Sequence, residues 1–405
     1  MKFHSPVYLI LAAALSLPIA AQHNSPNWVE TFQESPAAYP AFPAGASTSA
    51  TPPVTGTLRY RFGISVGGSQ VIVKLSNELG DTPLNIAGAS IAIAGDQMNA
   101  APGTVRRLTF NGNDSVVIPA GAPIFSDPVQ LDLPGVSDMI GAVYLKDSIA
   151  LQPGGGSGMT LTEGDTVMTE APAEARKLYG RPIMTALLVL PKQPAHVVVA
   201  IGDSITDPSR NVPTEKHGWV ATVAERMAAG GKKTRNMAIV SAGISGNQVL
   251  NTLMGTNALG RFDRDVLSVP GLSYIILFEG INDIGITGKN PIRNTPQTSA
   301  EDLIAGYKQM AMRAHARGVK IYICTLTQFE GSFYYSPEKA LIRDAVNQWI
   351  RTQKEFDGVI DFDAVTRDPA HPAQMKAELN SGDHLHPNAA GYQAMGEAVD
   401  IALFK

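Results

Sequence analysis

The stretch "HVVVAIGDSIT", residues 196–206, decides the fold. Val197 to Ile201 form an unbroken apolar run with no polar face, so both sides of the segment must be covered, as in the central strand of a parallel sheet. Gly202, Asp203 and Ser204 then end the run and turn it polar. Beyond it, strand and helix patterns alternate. Trp219, Val223 and Met227 recur at helical spacing in 218–231, and "RNMAIVSAG" and "LSYIILFEG" read as strands. A helix follows from Ser299 to Arg317, stopped by Gly318, and then the strand "VKIYICTL". A helix from Pro337 to Phe356 capped by Ser336, the strand "GVIDFD" and a last helix after Pro387 complete the series. Such alternation implies a parallel sheet covered on both faces. In open sheets of this kind ligands bind at the carboxyl ends of the strands, where the strand order reverses, and Ser204 lies just past one such end.

Upstream the pattern differs. "PKQPAH", 191–196, marks a boundary, before which 57–190 reads as short apolar strands separated by Gly, Pro, Asn and Asp: an all-β, jelly-roll-like sandwich. Leu58, Tyr60, Phe62, Ile64 and Val66 share one face, and Val71, Val73 and Leu75 follow after "GGSQ", which predicts a hairpin. The aromatic Tyr60, Phe62 and Tyr144 fall mostly on apolar faces and read as core. Residues 23–56, rich in Pro, Ala, Ser and Thr, read as a linker or strap with little regular structure. Residues 1–22 carry an early lysine, an apolar stretch from Val7 to Leu17 and small residues at Ala20 and Ala21, the pattern of a signal peptide. The chain is therefore expected to be secreted or periplasmic, with no stable membrane anchor.

Composition excludes other classes. With 44% apolar and 17% charged residues and a formal net charge of -4, the 405-residue chain has the make-up of a globular protein. It offers no basic footprint for a nucleic acid. The single cysteine, Cys324, lies in an apolar strand and is expected to be buried and inert. "QPGGGSG" at 152–158 lacks the Lys-Ser/Thr of a phosphate loop.

Four local features carry chemistry. Ser204 sits where a nucleophile needs to be, though a serine after Gly-Asp is also a common turn; Thr206 occupies the place of the second glycine in an α/β-hydrolase elbow, so that scaffold is not the one used. A serine hydroxyl needs a base, and a base needs an orienting carboxylate. Only "SGDHLHPNAAGY", 381–392, places histidines and a carboxylate together before a helix, with Asp383 and His386 three apart; the alternative is that Asp383 caps a turn and His386 caps the helix. "SAGISGNQ", 241–248, brings Gly243 and Gly246 to a second strand end, and "FEGINDIG", 278–285, brings Asn282 and Asp283 to a third. Each is a donor for an oxyanion or merely a turn former.

"GDSIT", "GISGN", "GIND" and "DHLHPN", in this order, resemble the four blocks of the GDSL or SGNH hydrolases over about 196–405. The resemblance implies a flavodoxin-like three-layer sandwich. It implies that Ser204 is nucleophile and first oxyanion donor, Gly246 and Asn282 the further donors, His386 the base and Asp383 its orienting partner. Ser241 stands where an asparagine often opens the second block. The β-rich region is similar to that of some exported members. The reaction implied is ester hydrolysis through an acyl-serine, with no metal or organic cofactor. The expected substrate is a short-chain acyl ester, favouring acetyl groups on a polysaccharide; lipase, arylesterase, phospholipase and thioesterase activities are the alternatives within the class. Two readings of other classes stand beside it: a carbohydrate-binding protein without catalysis, and a metallohydrolase using His371, Asp383, His384 and His386.

Overall fold

The computed structural model describes Met1 and residues 27–39, 53–151, 158–173, 175–207, 218–231, 234–289 and 294–404. The signal-peptide reading, the middle of the Pro-rich stretch and most of 152–158 lie outside these residues. The apolar run becomes the strand His196–Gly202, buried from Val197 onward. It pairs in parallel with Met237–Gly243 on one side and Leu272–Phe278 on the other. Lys320–Cys324 and Gly358–Ile360 extend the sheet beyond Leu272–Phe278. Numbered along the sheet by their order in the chain, the five strands run 2-1-3-4-5, the flavodoxin-like order. The order reverses beside the strand that leads into Ser204.

Helices cover this sheet in the places their spacing predicts. Trp219–Ala229 buries Trp219, Val223 and Met227 and packs against Ala389–Ala398. Ala300–His315 packs against Pro337–Thr352. Ser299 starts the former with a capping box: its hydroxyl accepts from Asp302 N, and the Asp302 carboxylate accepts from Ser299 N. The latter stops at Thr352, before the expected Phe356, because Gln353 is extended and its side-chain carbonyl takes the Phe356 N–H. Cys324 is 1% exposed, and burial pushes its thiol well above the usual range.

Among the described residues the amino-terminal region is all-β, with two larger antiparallel sheets facing each other and a small pair, Leu84–Ile86 with Val116–Ile118, beside them. One runs Val29–Gln33, Met184–Val189, Gly68–Asn77, Ala122–Phe125, with Val129–Leu133 also on Gly68–Asn77. The other runs Arg176–Tyr179, Gly158–Thr162, Val54–Ile64, Ser137–Ile149, Gly88–Ile93, Arg106–Arg107. The expected hairpin is not formed. Val54–Ile64 and Gly68–Asn77 lie in different sheets, the chain crossing between them at Ser65–Gly67. Alternation reveals which face of a strand is apolar but not which edge it pairs with, and here the two apolar faces meet across the sandwich. Phe62 stacks there at 5.0 Å from Tyr60 and 4.1 Å from Phe32.

Phe32 belongs to the strand Val29–Gln33, so the sandwich recruits a strand from the segment read as a linker or strap. The same strand packs on the edge strand Met237–Gly243 of the parallel sheet, where Ser65 Oγ accepts the N–H of Ile239 (3.1 Å). That contact covers a sheet edge which would otherwise present unpaired backbone groups. One continuous apolar interior runs through both regions. Among the described residues no helix is long and apolar enough to cross a membrane.

Candidate active site

Gly202, the last residue of the central strand, pairs with Gly243 on one side and Phe278 on the other, so three loops leave the sheet side by side. In the first loop the carbonyl of Asp203 accepts from Thr206 N (3.0 Å) and Asp207 N (2.8 Å), and the Asp203 carboxylate from Ile205 N (3.0 Å). This tight turn presents Ser204 at its head. The side chain lies 2.7 Å from His386 Nε2.

His386 comes from the loop before the last helix. Asp383 Oδ1 accepts from the N–H groups of Leu385 (3.0 Å) and His386 (2.8 Å) and from Ser381 Oγ (2.9 Å). Its Oδ2 takes His386 Nδ1 at 2.6 Å. Burial would raise the Asp383 carboxyl, but these donors outweigh it and hold the group well below the usual carboxylate range. The carboxylate therefore closes the turn and orients the ring together. With the proton on Nδ1, Nε2 turns its lone pair to the Ser204 hydroxyl. The helix is capped by Asn388, whose side chain accepts from Gly391 N (3.0 Å), and not by His386. His384 is directed elsewhere: it has a positive φ of 59°, its N–H donates to Asn380 Oδ1, and its ring lies against Gly331.

The second and third loops are stitched to each other and to the first. Asn282 lies in the first turn of a short helix, Ile281–Ile286, where the sequence suggested only a turn. One proton of its amide goes to Asn247 O (2.9 Å), and its Oδ1 accepts from the Tyr334 hydroxyl (2.7 Å). Asp283, fully buried, accepts from Val249 N and Leu250 N; burial pushes its carboxyl up to about 7 against the pull of those N–H groups. Ser241 Oγ donates to Thr206 O at 2.6 Å, so the second strand end is fastened to the first loop without an asparagine at that position. Gly243 ends its strand with its N–H on Ser241 Oγ, whereas Gly246 stands in the loop beyond at a φ of 76°.

Several supporting residues carry no local signal. Arg261, 1% exposed, lies among the three strand ends and donates to Gly202 O, Ala242 O and Asn247 Oδ1, while pairing with Asp265 and Glu279. In the sequence it stands in no motif and at no periodic position that would single it out. Tyr334 lies in "GSFYYSP", a stretch whose spacing does not tell pocket from core. Among the described residues no group of three or more His, Cys, Asp or Glu side chains is arranged to hold a metal ion.

Residues 200–394 match the GDSL-like lipase/acylhydrolase family. No curated protein matches the chain. Similar solved structures include a putative lipolytic protein of the G-D-S-L family from Desulfitobacterium hafniense, 20% identical over 50% of this chain and 96% of that one, with a TM-score of 0.37. Axe2, an acetylxylan esterase from Geobacillus stearothermophilus, is 22% identical over 50% of this chain and 91% of its own, with a TM-score of 0.40. The acetyl xylan esterase AlAXEase is 21% identical over 50% and 96%, with a TM-score of 0.39.

Proposed function

From the premise that residues 200–394 form a GDSL-like lipase/acylhydrolase domain, and so a carboxylic ester hydrolase, we propose that the protein removes short acyl groups, above all acetyl, through an acyl-enzyme on Ser204. The observation that carries this reading is the row Ser204–His386–Asp383, closed at 2.7 Å and 2.6 Å. Ser204 Oγ attacks the ester carbonyl as its proton passes to His386 Nε2. The tetrahedral oxyanion is received by the N–H groups of Ser204 and Gly246 and by the second amide proton of Asn282. As the C–O bond to the alcohol breaks, His386 returns the proton to the leaving oxygen. Water then attacks the acyl-serine with the same base, giving the carboxylic acid and restoring the serine. Asp383 stabilises the imidazolium and stays ionised, since its donors favour the anion.

The alcohol part of the substrate is proposed to be a sugar. Phe333 is 76% exposed and packs edge-on, 4.4 Å between centroids, against Tyr334, which itself bonds Asn282. An exposed ring this near the site suits the apolar face of a sugar or an aryl group. The amino-terminal stretch supports export, consistent with an extracellular or periplasmic polysaccharide as substrate. Acetate release from acetylated xylan, beside a chain-length series of p-nitrophenyl esters, tests the assignment. Ser204→Ala and His386→Ala should each lose about 1,000-fold or more in kcat, whereas His384→Ala should lose less than tenfold. A Ser204→Ala enzyme within tenfold of the parent would refute the mechanism, and polysaccharide retention without ester cleavage by the wild type would favour a binding protein.

A further inference from the structure

The peptide group between Ser245 and Gly246 is held from the amino-terminal side of the molecule. Its carbonyl, Ser245 O, accepts from the Tyr39 hydroxyl at 2.7 Å. Tyr39 follows the strand Val29–Gln33 by six residues. One peptide earlier, the Ser245 N–H donates to Asp207 Oδ2 at 2.6 Å. Asp207 in turn accepts from both terminal guanidinium nitrogens of Arg181, Nη2 at 2.8 Å and Nη1 at 3.4 Å. Arg181 comes from the sandwich, between two of its strands, and also pairs with Glu34 at 3.3 Å, with its charge close to Tyr39. Arg181, Asp207 and Glu34 are 5%, 2% and 1% exposed, so these interactions work with little screening by water.

A trans peptide is planar, with its C=O and N–H pointing in opposite directions. Anchoring Ser245 O therefore fixes where the Gly246 N–H points, which is the donor assigned to the oxyanion. Donation to the carbonyl also polarises the amide and strengthens its N–H. Gly246 is needed to let the chain turn there: its φ is 76°, and a Cβ would come within 2.7 Å of Met254 Cγ. We propose that Tyr39, backed by Arg181, is a positioning residue for the Gly246 oxyanion donor, so that the amino-terminal strap and the sandwich complete the preorganised site. This rests on the reading of Ser204 as nucleophile and Gly246 as donor.

Tyr39→Phe removes the hydroxyl and keeps the ring. On p-nitrophenyl acetate the variant should lose about tenfold in kcat with KM within twofold, and the inhibition constant of a boronic acid that adds to the serine should rise by the same factor. Its Tm should stay within about 3 °C of the parent. A purely structural role would lower Tm and leave the kcat of the folded fraction, corrected by active-site titration, where it was. A per-active-site kcat within twofold of wild type, or an unchanged boronate affinity, overturns the proposal. These outcomes are read in an enzyme that Ser204→Ala inactivates; if Ser204→Ala stays active, the underlying reading falls instead.

Discussion

Asn282 is a residue whose two ends are held by different parts of the fold. The Tyr334 hydroxyl donates to Oδ1, which fixes the orientation of the amide and leaves its nitrogen as the group that can serve the proposed oxyanion. Burial raises the Tyr334 phenol, so it remains a donor through the pH range in which an ordinary phenol does and beyond it. Asn282→Ala should lower kcat about 100-fold with little change in Tm, and Tyr334→Phe should lower it less. In the Asn282→Ala background the tyrosine substitution should then have little further effect on kcat, because its only catalytic consequence is the amide it orients. Steady-state kinetics of the four proteins measures this, and full additivity would remove Tyr334 from the site.

At the scale of elements, the strand Val29–Gln33 joins the two halves and carries an unusual burden. Glu30 is buried in it; burial pushes its carboxyl up to about 8, with Asp265 and Glu78 adding to the shift and Lys74 opposing it. Between the ordinary 4.5 and about 8, the folded chain keeps a proton that the unfolded chain has lost. Stability should therefore fall as pH rises through that window, by a slope on the order of 1 kcal/mol per pH unit from this group. Glu30→Gln should flatten the dependence, and denaturant melts of both proteins between pH 5 and 8 measure it. Equal slopes in the two proteins would show that Glu30 does not hold its proton when folded.

Across the whole molecule, the apolar interior is continuous and the polar contacts between the halves are buried. Ser65 accepts a backbone N–H at an edge of the parallel sheet, and Arg181 pairs with Asp207 three residues from Ser204. Separating the halves would take Asp207 away from Arg181 and open the shared apolar interior to water, which is unfavourable. Scanning calorimetry should accordingly show one cooperative transition for both halves, with calorimetric and van't Hoff enthalpies in agreement. Two resolved transitions would mean that the interface contributes little.

The parts of this protein readable in its sequence are those set by neighbours along the chain. The apolar run 197–201 must be buried whatever surrounds it, Ser299 and Ser336 cap helices through backbone groups three residues away, and Asp383 reaches His386 within one turn. These interactions depend on spacing, and spacing is printed in the sequence. Partners far apart along the chain are not. Whether Val54–Ile64 pairs with Gly68–Asn77 or faces it, whether Arg261 is on the surface or beneath the site, and what Tyr39 touches were decided by tertiary structure alone. A hydrogen bond to Ser245 from a residue 206 positions away leaves no periodicity to detect, because its geometry exists only once both halves have folded onto each other.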